Sequence, residues 1–241
     1  MENIPKRSLA LDLGLSGKSA FSCVEMVGDD PWKLRQCLQT SMSDVSTPEV
    51  ENHLLRWYSQ LDPQIVVLEC NGPGSVLLSY LSLHHPNMPI LALDVGHPAI
   101  DLPIWDDIVL TGSEFSNIRA QEFWLVKLLI KQHRLKLGWE DAELFAQLTS
   151  LRWETDKTKG ERIKLETKKG MRIHYYHSAL ESERGSRSPD KADALALSCF
   201  GYAMIVNQLT SGRNEQEDDI FQPYRDGFFP IGMTDLVEEI Q

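Results

Sequence analysis

The chain has 241 residues, 42% of them hydrophobic, which suffices to bury one sizeable core with room for an appendage. It contains no apolar run of the roughly 18 residues a membrane span requires, and its first seven residues, Met-Glu-Asn-Ile-Pro-Lys-Arg, lack the apolar stretch of a signal peptide, so a soluble, non-secreted protein is expected. Cys23, Cys37, Cys70 and Cys199 form no C-x-x-C pair, which sets aside a disulfide framework and a cysteine zinc site, and the net charge of -11 argues against a nucleic-acid partner only if it is evenly spread.

Residues 8–13, 20–27 and 34–41 alternate or are rich in strand formers, with turn signals at 14–17 and 28–31. Connections this short predict three antiparallel neighbours, because parallel strands need a long crossover. Ser46-Thr47-Pro48-Glu49 is a helix start, and Val50, Leu54, Leu55 and Trp57 follow at helical spacing. Ile65-Val66-Val67-Leu68 is an unbroken apolar run suited to a strand covered on both faces, and it ends at Glu69. A Gly-Pro-Gly turn leads to a predicted helix over 75–83, and a second buried strand is expected over 90–93. Residues 95–115 read as a long loop, 117–132 and 140–151 as helices, and 152–166 as a β-hairpin with a basic tip at Thr158-Lys159-Gly160. Ser188-Pro189-Asp190 opens a last helix with an apolar face of Ala192, Leu195, Ala196, Cys199, Phe200 and Ala203. Residues 1–208 are expected to form one domain and 209–241 an acidic C-terminal tail in which Phe221, Tyr224, Phe228 and Phe229 could meet a partner.

Charge is uneven along this layout. Between Arg152 and Lys191 there are eleven Lys or Arg against seven Asp or Glu, so positive charge gathers at the predicted hairpin and just beyond it. Carboxylates fall where they are costly. Asp12 sits inside the first strand, where an unpaired charge would cost several kcal/mol, and Glu69 ends the next buried strand. If those two strands are neighbours the carboxylates converge at one sheet edge. Asp190 and Asp193, three residues apart at the start of the final helix, can join them. Clustered carboxylates repel, and hard oxygen donors are what Mg²⁺ or Mn²⁺ prefer, so a divalent metal centre is the economical reading. Two such ions about 4 Å apart support phosphodiester hydrolysis.

Leu11-Asp12-Leu13-Gly14, the run from Val66 to Gly74, and the run from Ser188 to Ala196 resemble, in order, the three acidic motifs of the nuclease domain of viral large terminase subunits. Asn117-Ile118-Arg119-Ala120-Gln121 and residues 163–169 are also similar, and the resemblance spans roughly 8–205. It implies an α/β, ribonuclease H-like fold: a mixed sheet of three antiparallel strands followed by parallel ones, flanked by helices, with an added β-hairpin. It implies a two-metal endonuclease that cuts concatemeric viral DNA during packaging, using Mg²⁺ or Mn²⁺. By motif position Asp12, Glu69 and Asp193 would be metal ligands and catalytic residues, with Asp190 at the extra acidic or histidine position that varies in such folds. Arg119, Lys157, Lys159, Lys168 and Lys169 are the expected contacts to double-stranded DNA. A packaging ATPase domain or subunit, a portal and a small terminase would be partners, in the host cytoplasm and away from membranes. Because a complete large terminase carries its ATPase ahead of the nuclease, the chain is read as an excised domain or a separately encoded nuclease.

Other readings of the same residues are weaker. Gly14-Leu15-Ser16-Gly17-Lys18-Ser19 lacks the four residues a phosphate-binding loop needs between its glycines. His84, His85, His174 and His177 lack a second ligand pair for a transition metal. Asp190 also suits ordinary helix N-terminal chemistry. A Holliday-junction resolvase shares the implied fold and acidic pattern, and a non-catalytic DNA-binding or assembly module is the reading from another class.

Overall fold

The first strand, β1 (Arg7–Leu13), is buried on both faces, and its period of two sorts its side chains into two separate cores. Leu9 and Leu11 enter one core and Ala10 the other. The computed structural model describes residues 7–14, 18–43, 46–138, 141–166 and 190–210. β2 (Lys18–Met26) runs antiparallel to β1, and β3 (Leu34–Ser43) antiparallel to β2, as the short turns required. A bulge between Cys23 and Val24 shifts the register of the second pair.

Helix α1 (Thr47–Leu61) starts where the capping residues predict. Glu49 reaches back to accept from the Ser46 backbone N–H at 2.7 Å and from its hydroxyl at 2.8 Å. The chain then returns to the sheet as β4 (Ile65–Glu69), which pairs parallel with β1. Helix α2 (Pro73–His84) leads to strand β5 (Ile90–Leu93), parallel to β4, and the six-stranded sheet has the order β5, β4, β1, β2, β3 and a short edge strand β8. β8 (Leu135–Lys136) lies parallel to the start of β3. Its two residues carry no periodic signal, so the sequence reading leaves it out.

Residues 95–115, expected to be a loop, contain a small antiparallel ladder of β6 (Leu102–Pro103) and β7 (Val109–Leu110). Gln121 stitches this excursion to the body: its side-chain nitrogen donates to the Leu110 carbonyl at 3.0 Å and its oxygen accepts from the Ile100 N–H at 3.2 Å. Helices α3 (Ile118–Lys131) and α4 (Ala142–Ser150) and the hairpin of β9 (Trp153–Asp156) and β10 (Arg162–Leu165) follow, then the long α5 (Asp190–Thr210).

The two sheet faces are covered differently. Val50 and Leu54 of α1 and Leu77 and Leu81 of α2 pack on Leu9, Leu11, Val66 and Leu68. On the other face Ala10 and Val67 meet α5, backed by Phe123, Val126 and Leu129 of α3 and Leu144 of α4. Each fully buried Leu or Val contributes about 1.5–3 kcal/mol relative to exposure, so the alternation along β1 and β4 decides which face each strand presents to α5. Two glycines mark close approach. A Cβ on Gly201 of α5 would meet Val67 Cγ2 at 2.4 Å, and a Cβ on Gly74 would lie 1.8 Å from the Glu69 carbonyl oxygen. α5 is therefore pressed onto β4, and the first turn of α2 is wrapped around the end of the same strand.

Candidate metal centre and nucleic-acid face

Asp12 and Glu69 are the residues immediately after the last aligned pair of β1 and β4, Leu11 opposite Leu68. They follow Ala10 and Val67 by two positions, so both belong to the face that α5 covers. Asp12 is buried and Glu69 half-buried. Asp190 and Asp193 occupy the first turn of α5, where the helix dipole favours negative charge, and both are buried. Two strand ends and one helix start thus deliver four carboxylates to the α5 side of the sheet.

The first turn of α5 is held from α4. Lys191, between the two aspartates in sequence, reaches away from them to Asp141 at 2.8 Å and Glu143 at 3.0 Å. Gln147 accepts from the Ala192 N–H at 2.9 Å, and Asp141 itself caps α4 through the Leu144 N–H at 3.0 Å. Burial works against the charge on Lys191, but the hydrogen bonds it donates to Asp141 and Glu143 outweigh it and raise its pKa.

Arg119 supplies the positive charge inside the cluster. It stands in the first turn of α3, whose N-cap Asn117 accepts from the Ala120 N–H at 3.0 Å. The Ile118 and Arg119 N–H groups donate to the carbonyls of His97 and Val95, both at 2.9 Å, which ties this turn to the exit of β5. Arg119 Nη2 pairs with Asp193 Oδ1 at 2.9 Å, with only 12% and 4% of the two side chains exposed. Burial acts to lower the guanidinium pKa, yet Asp193, with Glu122 and Glu69 adding to the field, raises it above its ordinary value. The sequence reading places Arg119 on DNA; the structure places it among the carboxylates.

Glu122, one turn along α3, is buried and its charge acts on Arg119; Glu166, the residue after β10, is buried as well. The sequence pattern does not flag either one, because polar residues in a helical pattern or after a strand normally face water. The signal available in the sequence is its place on the helix: Ile118 lies four residues before Glu122, and Leu125 and Val126 lie three and four after it, so Glu122 falls on a buried apolar face. Another buried carboxylate, Glu25 in β2, is a contrast: Arg7 Nε donates to it at 3.0 Å and Arg35 Nε at 2.9 Å, which makes it a cross-strand ion pair at the opposite end of β1 and β2 from Asp12.

As donors, carboxylates on two strand ends and a helix start are of the right chemistry for Mg²⁺ or Mn²⁺. Among the described residues, no three His, Cys, Asp or Glu side chains stand close enough together to hold a metal ion as they lie, and Asp193 is engaged by Arg119. His84 stacks on Tyr80 with ring centroids 4.2 Å apart, and His85 lies 4.0 Å from Glu51, so neither enters a metal group.

The sequence matches no family model and no curated protein. Its three-dimensional structure does have counterparts. A point mutant of the nuclease domain of the large terminase subunit gp2 of bacterial virus Sf6, solved with manganese, superposes with a TM-score of 0.60 at 15% identity, covering 80% of this chain and 88% of that one. The large terminase nuclease of thermophilic phage G20c, solved with bound magnesium, gives 0.51 at 14% identity over 83% and 82% of the two chains. The nuclease domain from Thermus phage P74-26 gives 0.52 at 12% identity over 80% and 78%. The fold is that of large-terminase nuclease domains.

Within this terminase-nuclease fold the β9–β10 hairpin is the added element, and it is fastened next to α3. Phe115 forms a parallel bridge with Ile163, and the Ser116 N–H donates to the Ile163 carbonyl at 2.9 Å. The tip turns through Lys157–Lys159, where Asp156 Oδ1 accepts from the Thr158 N–H at 3.1 Å, and Lys157 is exposed there. Lys168 and Lys169, with Ser188, Pro189, His174 and His177, lie outside the described residues. Among the described residues no helix is long and apolar enough to cross a membrane.

Proposed function

We propose that the chain is a divalent-metal-dependent DNA endonuclease that cuts concatemeric viral DNA during genome packaging. The observation that carries this reading is the delivery of Asp12, Glu69, Asp190 and Asp193 to one side of the sheet in a terminase-nuclease fold. Neighbouring folds solved with manganese and with magnesium support the same two ions here.

In this reading Asp12, Glu69 and Asp193 hold the metal, with Asp190 assisting. A pair of divalent ions supplies an activated water and neutralises charge at the scissile phosphate. The protein's own part is placement. Strand register keeps Asp12 and Glu69 level with each other, and the anchoring of Lys191 and Ala192 to α4 fixes the turn that carries Asp190 and Asp193. Lys157 and Lys159 at the hairpin tip, with Lys168 and Lys169, meet the phosphate backbone, so cutting depends little on sequence. The substrate is double-stranded DNA, and a packaging ATPase domain or subunit, the portal and the small terminase are the partners, in the host cytoplasm.

The test is incubation with supercoiled plasmid in Mn²⁺, Mg²⁺ or EDTA, with Asp12→Ala as the control for contaminating nuclease. Cleavage that needs the metal and drops by at least about a hundredfold in Asp12→Ala is expected, because a metal ligand is lost. A fully active Asp12→Asn protein would overturn the assignment.

A further inference from the structure

Arg119 poses a physical problem for the metal-centre reading. A guanidinium 2.9 Å from Asp193 Oδ1 in a largely buried site and a divalent cation on the same carboxylate repel each other strongly. Glu69 adds to the field on the same arginine, so the guanidinium charge acts on the strand as well as the helix contribution to the cluster. One turn further along α3, on the same helix face, lies Glu122, a carboxylate only 1% exposed whose charge acts on Arg119. The Phe123 ring lies beside the guanidinium, its centroid 5.2 Å from the Arg119 Cζ, and stabilises a cation next to α3.

We propose that Arg119 is the internal counter-ion of the carboxylate centre and that Glu122 receives its guanidinium when a divalent cation takes Asp193, so that this buried pair on α3 sets the metal affinity. The proposal rests on the metal-centre reading and deepens it. Arg119 and Glu122 are positioning residues: they act through Asp193. Metal binding is then an exchange of one cation for another at Asp193, and the two α3 residues bias that exchange in opposite directions. Without Arg119 the metal loses a competing cation and binds more tightly; without the Glu122 charge the guanidinium is drawn less strongly from Asp193 and the metal binds more weakly. A residue that merely supports the fold would shift affinity in one direction only, by loosening the site.

The experiment is a Mn²⁺ titration of the full chain, with free Mn²⁺ read by electron paramagnetic resonance, on the wild type, Asp193→Asn, Arg119→Gln and Glu122→Gln. Couplings between sites are commonly 5–150-fold. We expect Arg119→Gln to lower the half-saturating Mn²⁺ about tenfold, or ~1.4 kcal/mol, and Glu122→Gln to raise it by a similar factor. Weaker binding in Asp193→Asn than in the wild type establishes the metal centre. If that difference is present and Arg119→Gln binds Mn²⁺ no more tightly than the wild type, the counter-ion role is overturned while the centre stands. If Asp193→Asn binds like the wild type, the metal-centre reading falls, and this inference with it. Should Arg119→Gln not fold, the wild-type Arg119 Nε–Hε resonance, identified by its loss in Arg119→Lys, decides the matter in a Mg²⁺ titration. Movement in step with saturation supports the exchange, and an unmoved resonance overturns it.

Discussion

Replacing Gly201 by alanine adds one methyl group at the place where α5 presses on β4. The new Cβ would stand 2.4 Å from Val67 Cγ2 and 3.4 Å from both Val67 Cβ and Cγ1. Val67 has no room to yield: it is fully buried, β-branched, and in a strand paired with β1 on one side and β5 on the other. Overpacking of this kind costs about 1–3 kcal/mol, while alanine in place of glycine in a helix interior returns roughly 1 kcal/mol. Because the clash involves a stiff side chain and not a flexible tip, the upper part of that range, about 2–3 kcal/mol, applies, and the net expectation is a loss of about 1–2 kcal/mol. For a domain of this size that corresponds to a fall in Tm of roughly 2–8 °C. Urea unfolding followed by tryptophan fluorescence measures it, with Val67→Ala as the second arm. Val67→Ala alone should destabilise by leaving a cavity, yet in the Gly201→Ala background it should cost at least about 1 kcal/mol less, because it removes the clash. Gly201→Ala at or above wild-type stability, or strict additivity of the two changes, would refute the close packing of α5 on the strand that carries Glu69.

Two further outcomes test the surroundings of the site. Burial pushes the Asp141 carboxyl up, but the Lys191 ammonium and the Leu144 N–H outweigh it and leave its pKa below the ordinary value. A depressed folded pKa contributes stability that is present above the unfolded value near 4 and is lost as pH falls through the folded value. The raised pKa of Lys191 contributes stability that is present below about 10.4 and is lost as pH rises through the folded value. Asp141→Asn should therefore lose about 1–2 kcal/mol at pH 7 and show a smaller drop between pH 7 and pH 3 than the wild type; equal drops in urea unfolding would contradict the pairing. Lys157→Ala should weaken binding to duplex DNA uniformly across sequences and reduce the salt slope by about 1, as measured by fluorescence anisotropy at several salt concentrations. An unchanged slope would remove the hairpin tip from the DNA face.

Much of the site's position follows from local patterns. The alternation of Leu9, Ala10, Leu11 and Asp12, and of Val66, Val67, Leu68 and Glu69, already states that each acid shares a face with the small or branched residue two positions before it. The capping residues Ser46 and Glu49 mark the start of α1, and the spacing of Asp190 and Asp193 places both in one helical turn. Such features depend on residues a few positions apart, and backbone geometry imposes their consequences wherever the chain goes.

What the sequence by itself determined, then, was the set of longer helices and strands, the antiparallel start and parallel continuation of the sheet, and which carboxylates end up at strand ends. Tertiary structure alone decided the rest. β8 exists because Leu135 and Lys136 find the start of β3 a hundred residues upstream, and two residues have no period to detect. Arg119 lies inward, against Asp193, because α3 packs on α5; its neighbours in sequence are equally compatible with a solvent-facing arginine. Glu122 is interior for the same reason. Charges brought together across 74 residues between Arg119 and Asp193 are coupled by distance in space, a quantity that no window of sequence contains.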